Sequence, residues 1–363
     1  MYQKKIIFNL TLIVLILSFA GIILSMKADV VKENPSVVVN NSVEPQPEEL
    51  GKVKWLRNYE DALTMSNKSD KPVLILFQEV PGCATCRNYG NNALSHPLIV
   101  EAIETLFVPL AIYNNIKGAD AKVLAEFGEP SWNNPVVRVI NADKRELTPR
   151  LGGDYSPLGL VKAMTNALTV NGSVVPMYLQ LLQEELISNS IGVEEATFGM
   201  YCFWSGEKEL GSMTGVVSTQ PGFMDGREVV TVAYNPEIIT FETILSEAKK
   251  AKCASHVFAN DDRQFAKAKK LVHSDQISEA GKFRLDKEPK YYLSKTDYQY
   301  VPMTALQATK ANALIGKQQS PNAVLSPRQV ELAQFIAQHK NLAWKNAINQ
   351  PFEKAWEAVM LLR

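Results

Sequence analysis

The 363-residue sequence has few cysteines, few histidines and no excess of either charge. Four cysteines are too few for a small secreted fold held together by disulfides, so that class is excluded. The 38 Lys and Arg residues balance the 38 Asp and Glu residues, and nothing in the charge indicates a nucleic-acid groove or a polybasic lipid-binding surface. The four histidines, at positions 96, 256, 273 and 339, show no metal-ligand spacing. We therefore expect no metal, no cofactor and no nucleic-acid partner.

Residues 1–26 contain one long apolar run. A short basic stretch, Met1–Lys5, precedes the apolar segment Ile6–Met26, which would reach about 30 Å as a helix and so could cross a bilayer. Lys4 and Lys5 predict a cytoplasmic N-terminus and an exported remainder. A cleaved signal peptide is the alternative to a transmembrane anchor, because residues 18–20 could serve as a cleavage site. Both alternatives predict a periplasmic or otherwise extracytoplasmic body, and the anchor predicts a single-pass cell-membrane protein.

Composition and hydrophobic patterning divide the rest of the chain into five segments. They are a flexible linker at 27–50, a first domain at 51–171, a helical connector at 172–193, a second domain at 194–316 and a helical tail at 317–363. Apolar runs predict strands at Val73–Phe77, Phe107–Ile112, Val136–Ile140 and Val229–Tyr234. In the tail, Ser326-Pro327 predicts the start of a helix. Strands that alternate with helices predict an α/β fold for the first domain, and the second domain is predicted to be α+β.

Cys83 and Cys86 form a Cys-x-x-Cys pair after the first buried strand. Their spacing puts both sulfurs on one face of the following helix, and the helix N-terminus favours a thiolate on Cys83. Cys83 is therefore the predicted nucleophile and Cys86 its resolving partner. A metal site or a structural disulfide is the alternative. A metal site usually needs a second Cys or His pair nearby, and a structural disulfide rarely spans three residues at a helix start, so a redox dithiol is favoured.

The segment from Val73 to Cys86, followed by Asn134-Pro135 before a strand, resembles the thioredoxin fold. The resemblance implies that Pro135 is the cis-proline that presents backbone to an extended substrate. The string from Val80 to Cys83 is similar to a subgroup of thioredoxin-like proteins and selenoproteins. Ala84-Thr85 replaces the usual Gly-Pro between the cysteines, and these two residues tune the reduction potential. The direction of electron flow therefore stays open.

Cys202 lies in a second informative stretch, between two aromatic residues. Taken alone, such a cysteine is more typical of a buried small hydrophobic residue than of a catalyst. The stretch from Cys202 to Glu207 resembles the signature of peptide methionine sulfoxide reductase A. The resemblance continues through residues 215–218, 222–223, 226–230 and 234–239.

This second resemblance implies roles for four residues. Cys202 would be the nucleophile, Glu228 the acid that protonates the sulfoxide oxygen, and Phe203 with Trp204 an apolar cup for the substrate methyl group. Glu207 matches the signature as well, and we expect a structural role for it. The sulfenic acid left on the nucleophile is reversible through a disulfide with another thiol, so the dithiol could supply the electrons.

Departures from the reductase pattern leave alternatives open. Tyr201 replaces the glycine that usually precedes the nucleophile, the segment between Gly222 and Arg227 is short and lacks a tyrosine, and a later Asp-His-Gly-Thr-Gln-Tyr-Arg motif is not recognisable. A non-catalytic relative is therefore one alternative. Cys253 is either a resolving thiol or a buried spectator, and Tyr291 or Tyr292 could replace the missing tyrosine.

The leading hypothesis is an exported methionine sulfoxide reductase with its own electron-delivery domain. Its partners would be oxidised proteins, an upstream thiol reductant and the membrane. A thiol–disulfide oxidoreductase whose second domain only binds a substrate or partner is the main alternative. A membrane-anchored scaffold or metal chaperone is the third.

Overall fold

The structure, a computed structural model, describes residues 46–132 and 135–362. The predicted anchor at residues 1–26, most of the predicted linker and Asn134 lie outside these residues. Within the described part of the chain, no helix is both long enough and apolar enough to cross a membrane.

The described residues form strands in two sheets, separated by helices, so the mixed α/β class is confirmed. The strands are β1 Val73–Gln78, β2 Val108–Tyr113, β3 Val136–Ile140, β4 Leu151–Gly152, β5 Glu194–Met200, β6 Val216–Met224, β7 Arg227–Tyr234, β8 His256–Ala259, β9 Ile277–Glu279 and β10 Arg284–Leu285. The α-helices are α1 Tyr59–Ser69, α2 Ala84–Asn92, α3 Pro97–Leu106, α4 Ala119–Glu126, α5 Pro157–Val170, α6 Met177–Ile191, α7 Phe203–Gly211, α8 Phe241–Lys250, α9 Asp262–Ala268, α10 Tyr291–Ser294, α11 Ala305–Gly316, α12 Pro327–Gln338 and α13 Phe352–Met360. The four predicted strands are confirmed as β1, β2, β3 and β7, with small shifts at their ends.

The first sheet has the strand order β2-β1-β3-β4. Strand β1 runs parallel to β2 and antiparallel to β3, and all its residues are buried. Its side chains alternate between two cores: Leu74 and Leu76 pack in one with α3 and α5, while Ile75 and Phe77 pack in the other with α1 and α4. A strand covered on both faces reads as a continuous apolar run, which is why β1 was predictable.

The folded chain begins earlier than the predicted linker boundary at residue 50. Residues Glu48–Leu50 form a short 3-10 helix that packs on α2, and Leu50 is buried there. A Cβ atom on Gly90 of α2 would lie 1.9 Å from the Glu48 carbonyl oxygen, so this close approach requires glycine. The end of the predicted linker therefore belongs to the fold. Its polar composition concealed this because a single 3-10 turn has no hydrophobic period.

The second sheet has the strand order β10-β6-β7-β5-β8-β9 and is antiparallel except for the β8–β9 pair. Helices α7 and α8 pack with it around a core that contains Phe198, Val230 and Ile244. Strand β5 lies between β7 and β8, so the chain that leaves β5 at Met200 enters α7 beside the first residues of β7.

The predicted helical tail, residues 317–363, packs against the domain that contains the first sheet. Helix α12 starts at Pro327 with Ser326 as its N-cap, as predicted. The buried carboxylate of Glu101 on α3 accepts hydrogen bonds from the Ser326 hydroxyl, at 2.5 Å, and from the Arg328 backbone N–H, at 2.8 Å. Phe352 of α13 packs into the core that contains Leu74. These contacts join elements far apart in sequence.

Candidate functional site

Cys83 and Cys86 lie where the chain passes from β1 into α2. Cys83 is the N-cap residue of α2 and is exposed, whereas Cys86 in the first turn is fully buried. Their Sγ atoms are 3.5 Å apart and are not joined in a disulfide. The Cys86 backbone N–H, which points at the Cys83 sulfur, lowers the pKa of Cys83. Burial raises the pKa of Cys86 to about 11. The exposed sulfur is therefore the one suited to attack a substrate.

Side chains from outside the Cys-x-x-Cys motif hold the loop in front of Cys83. The Glu49 carboxylate accepts a hydrogen bond from the Gly82 N–H at 2.7 Å. The buried Gln78 amide donates to the Glu49 carbonyl, at 2.7 Å, and to the Cys86 carbonyl, at 3.3 Å. The Asn115 side chain accepts from the Val80 N–H at 3.3 Å and donates to the Val80 carbonyl at 3.2 Å. Sequence reasoning missed these residues, because nothing in their spacing relates them to the cysteines.

Glu79 is an acidic side chain beside the dithiol that the sequence had not singled out. A carboxylate oxygen of Glu79 and the Sγ atoms of Cys83 and Cys86 all lie within 4.8 Å of one another. The loop brings them together through Gly82, where a Cβ atom would lie 2.4 Å from the Glu79 carbonyl oxygen. Two sulfurs and one carboxylate therefore face the same small volume.

Pro135 immediately precedes β3, which pairs with β1 so that Val136 is opposite Phe77. The residue is buried. Its predicted cis bond joins it to Asn134, which lies outside the described residues, so the cis-proline role stays a prediction.

Cys202 and Glu228 meet at the N-terminus of α7. The β5–β7 register pairs Met200 with Glu228, so the chain passes Glu228 as it leaves β5. Cys202 is the half-buried N-cap residue of α7. The Glu228 carboxylate accepts a hydrogen bond from the next N–H, that of Phe203, at 2.9 Å. The structure thus places the predicted acid in a hydrogen bond with the residue that directly follows the predicted nucleophile.

Aromatic side chains surround this second cysteine. Phe203 is buried and makes edge-to-face contacts with Trp204, at a centroid distance of 5.7 Å, and with Phe223, at 5.4 Å. Tyr291 stacks on Trp204, with centroids 3.8 Å apart and an interplanar angle of 15°. Of the two tyrosines that the sequence left open, Tyr291 therefore contacts the predicted cup. Tyr201, in contrast, is 96% exposed.

Glu207 connects α7 to the segment that carries Tyr291. Its fully buried carboxylate accepts hydrogen bonds from the Lys290 backbone N–H at 2.9 Å and from the Lys290 Nζ at 3.1 Å. The Thr219 hydroxyl donates to it at 3.2 Å. Because Lys290 directly precedes Tyr291, this ion pair holds the tyrosine near Trp204.

Cys253 is 3% exposed and lies in the core of the second sheet. Burial is the main cause that raises its pKa, and a charge on Cys202 raises the pKa further. The β5–β8 register pairs residue 197 with 258, 198 with 257 and 199 with 256. Continued beyond the strand ends, the same register would bring Cys202 opposite Cys253. The two cysteines therefore lie at the same end of neighbouring strands.

A family model described as Thioredoxin-like matches residues 54–142. The chain is also 27% identical over 150 residues to "Peptide methionine sulfoxide reductase MsrA 1" of Nostoc sp., a match that covers 31% of this chain and 91% of that protein. It is 38% identical over 69 residues to "Peptide methionine sulfoxide reductase MsrA" of Methanococcus maripaludis, covering 14% of this chain and 44% of that protein. The chain thus spans less than half the length of this second relative.

Among solved structures, the chain is similar to one titled "DsbH Oxidoreductase". The two are 17% identical with a TM-score of 0.29, and the match covers 38% of this chain and 95% of that chain. The two resemblances that the motifs predicted, to thioredoxin-like proteins and to peptide methionine sulfoxide reductases, are confirmed by the match to the Thioredoxin-like family model and by the matches to the two reductases.

Proposed function

We propose that this protein is a thiol-redox enzyme that reduces methionine sulfoxide in oxidised proteins at Cys202, with electrons relayed by the Cys83–Cys86 dithiol. One observation carries the proposal: Cys202 lies half-buried at the N-terminus of α7, with the Glu228 carboxylate hydrogen-bonded to the next backbone N–H. Amides at a helix start favour a thiolate, and a carboxyl group beside it can supply a proton. The matches to methionine sulfoxide reductases support the choice of substrate.

Groups at the second site supply the nucleophile, the proton and the resolving thiol that the reduction of a sulfoxide needs. The Cys202 thiolate attacks the sulfoxide sulfur while the Glu228 carboxyl group gives a proton to the sulfoxide oxygen. The hydroxyl group then moves from the substrate sulfur to the Cys202 sulfur as the new sulfur–sulfur bond breaks, so methionine leaves and Cys202 becomes a sulfenic acid. A thiol then attacks this sulfenic acid, which forms a disulfide and releases water. We assign that attack to Cys253, whose buried segment must open before the attack.

The dithiol completes the cycle. Cys83 attacks the disulfide at the second site and forms a mixed disulfide with it. Cys86 then attacks the Cys83 sulfur and releases the thiol of the second site, so two electrons pass from the dithiol to the second site and a Cys83–Cys86 disulfide remains. An upstream thiol reductant must reduce this disulfide. We place this chemistry outside the cytoplasm, with residues 1–26 as the anchor, because the apolar run and its two lysines predict that topology.

The test is turnover of methionine sulfoxide by the purified full-length protein with dithiothreitol as the reductant. Wild type should turn over, Cys202→Ser should not, and Glu228→Gln should lower kcat by roughly 10²- to 10⁴-fold because the proton donor is lost. Cys83→Ser is the matched control: dithiothreitol can reach the second site directly, so this variant should keep its activity. Equal rates in wild type and Cys202→Ser would contradict the proposal.

A thiol–disulfide oxidoreductase is the second candidate, favoured by the exposed Cys83 sulfur 3.5 Å from that of Cys86. It is tested in parallel by the reduction of insulin. Loss of this activity in Cys83→Ser, no effect of Cys202→Ser, and no turnover of methionine sulfoxide would select this function over the first.

A further inference from the structure

The first redox site has three potential metal ligands where the sequence motif has two. The Glu79 carboxylate oxygen and the Sγ atoms of Cys83 and Cys86 all lie within 4.8 Å of one another, and the two sulfurs are 3.5 Å apart. The nearby side chains of Glu49, Gln78 and Asn115 hold the loop that brings them together. Residues outside the Cys-x-x-Cys motif therefore hold the loop that forms the cluster.

The sulfur–sulfur spacing of 3.5 Å is close to that of a tetrahedral zinc site. Zinc–sulfur bonds of about 2.3 Å in a tetrahedron place two sulfurs about 3.8 Å apart, and a carboxylate oxygen at about 2.0–2.2 Å lies slightly nearer to each sulfur. The Cys83 and Cys86 sulfurs need to separate by only a few tenths of an ångström to reach this geometry. Because Cys83 is exposed, an ion can reach the cluster from solvent.

The set of donor atoms points to one metal class. Two thiolates with a carboxylate suit Zn²⁺, a borderline-soft ion that accepts sulfur and oxygen ligands together. Ca²⁺ and Mg²⁺ bind through oxygen alone, and Cu(I) is selected by thiolates and thioethers without need of a carboxylate. Three protein ligands leave one tetrahedral position for water or a further thiol.

We propose that Glu79, Cys83 and Cys86 form a zinc site in the reduced protein. Binding changes no oxidation state: Zn²⁺ replaces the thiol protons, which pass to the buffer. Bound zinc would occupy both sulfurs and so block attack on a disulfide. The metal-free dithiol reduces a disulfide substrate to two thiols and becomes the Cys83–Cys86 disulfide, which lacks two of the ligands and so cannot bind the ion. The proposal goes beyond the proposed function and is independent of the chemistry at Cys202.

The test is zinc titration of the full-length protein, reduced and kept under anaerobic conditions, against a chromophoric zinc chelator. Wild type should bind one equivalent. Cys83→Ser and Cys86→Ser should each abolish this binding. Mutation of residues that only support metal ligands lowers metal affinity about 10- to 100-fold, so loss of a ligand in Glu79→Gln should weaken zinc binding by about tenfold or more. Glu48→Gln, a change at an exposed acid of the neighbouring 3-10 helix, is the matched control and should bind like wild type.

Co²⁺ provides a readout besides affinity. Thiolate ligation should give a charge-transfer band in the near ultraviolet with wild type, and the band should be absent from the Cys83→Ser spectrum. Thermal melts verify that each variant is folded. The three-ligand assignment is overturned by no stoichiometric binding, by equal affinity in Glu79→Gln and Glu48→Gln, or by binding that survives Cys83→Ser and is lost in Cys202→Ser or Cys253→Ser. None of these outcomes depends on turnover of methionine sulfoxide.

Discussion

The two sulfurs of the dithiol are separated by one helical turn, and their environments are opposite. Cys83 is exposed at the helix start, where the Cys86 N–H stabilises its thiolate and lowers its pKa. Cys86 is buried, and loss of hydration disfavours its thiolate. One sulfur is therefore available for attack on a substrate, and the other stays protonated until it is needed.

This asymmetry predicts how the thiols react with iodoacetamide. At pH 7 we expect Cys83 to be alkylated first, and its rate to rise with pH through a pKa below the ordinary thiol value of 9.0. Cys86 should become reactive only as the pH approaches its pKa of about 11. Pulsed labelling followed by peptide mass spectrometry measures both rates, with buried Cys253 as an internal reference. Labelling of Cys86 at the same rate as Cys83 at pH 7 would contradict this expectation.

Helix α7 and the segment before α10 are joined by one buried ion pair. Glu207 of α7 is fully buried and Lys290 nearly so, and Thr219 on β6 contacts both side chains. A buried ion pair adds little stability compared with apolar packing, yet removal of one partner leaves the other charge without compensation. Glu207 is thus suited to a structural role, which is the role that the sequence predicted for it.

Glu207→Ala should lower the free energy of unfolding by about 3–5 kcal/mol, because it leaves the Lys290 ammonium group buried and unpaired. Glu209→Ala is the matched control on the same helix. Glu209 contacts Lys208 and Lys317 at the surface, and such exposed pairs contribute about 0–1 kcal/mol. Urea unfolding followed by circular dichroism measures both variants. An equal loss of unfolding free energy in the two variants would contradict a larger contribution from the buried pair.

Across the whole molecule, α12 and α13 connect the parts built on the two sheets. Glu101 of α3 caps the start of α12 through Ser326 and Arg328, and Glu104 forms an ion pair with Arg328 at 2.5 Å. Burial raises the pKa of Glu101, the hydrogen bonds from Ser326 and Arg328 oppose that shift, and the charge of Glu331 adds to it. The net direction is upward, so the folded state holds the Glu101 proton more tightly than the unfolded chain does.

This shift makes the stability depend on pH with a definite sign. For a carboxyl group whose folded pKa is raised, the contribution to stability is complete below its ordinary pKa of 4.5 and is lost as the pH rises through the folded value. Wild type should therefore lose stability relative to Glu101→Gln as the pH increases from about 4.5. Thermal melts of both proteins over that range give the difference in Tm at each pH. A difference that stays constant, or that changes in the other direction, would contradict the assignment.

Patterns within a few residues were enough to predict much of this molecule. The apolar runs identified β1, β2, β3 and β7, and Ser326-Pro327 marked the start of α12, because burial and capping depend on near neighbours in the chain. The Cys-x-x-Cys spacing likewise placed Cys83 and Cys86 on one helical turn. The resemblance to known families added Glu228, which the strand register places opposite Met200, two residues before Cys202.

Which segments form strands and helices, and which cysteines form a pair, follows from backbone preference and spacing along the chain. Folding of distant segments onto one another places Glu79 beside the dithiol, stacks Tyr291 on Trp204, and lets Glu101 cap a helix 225 residues away. Each of these contacts joins residues that no helical or strand period relates. These contacts form because the cores on both sheets bury apolar surface, and that burial brings the segments together.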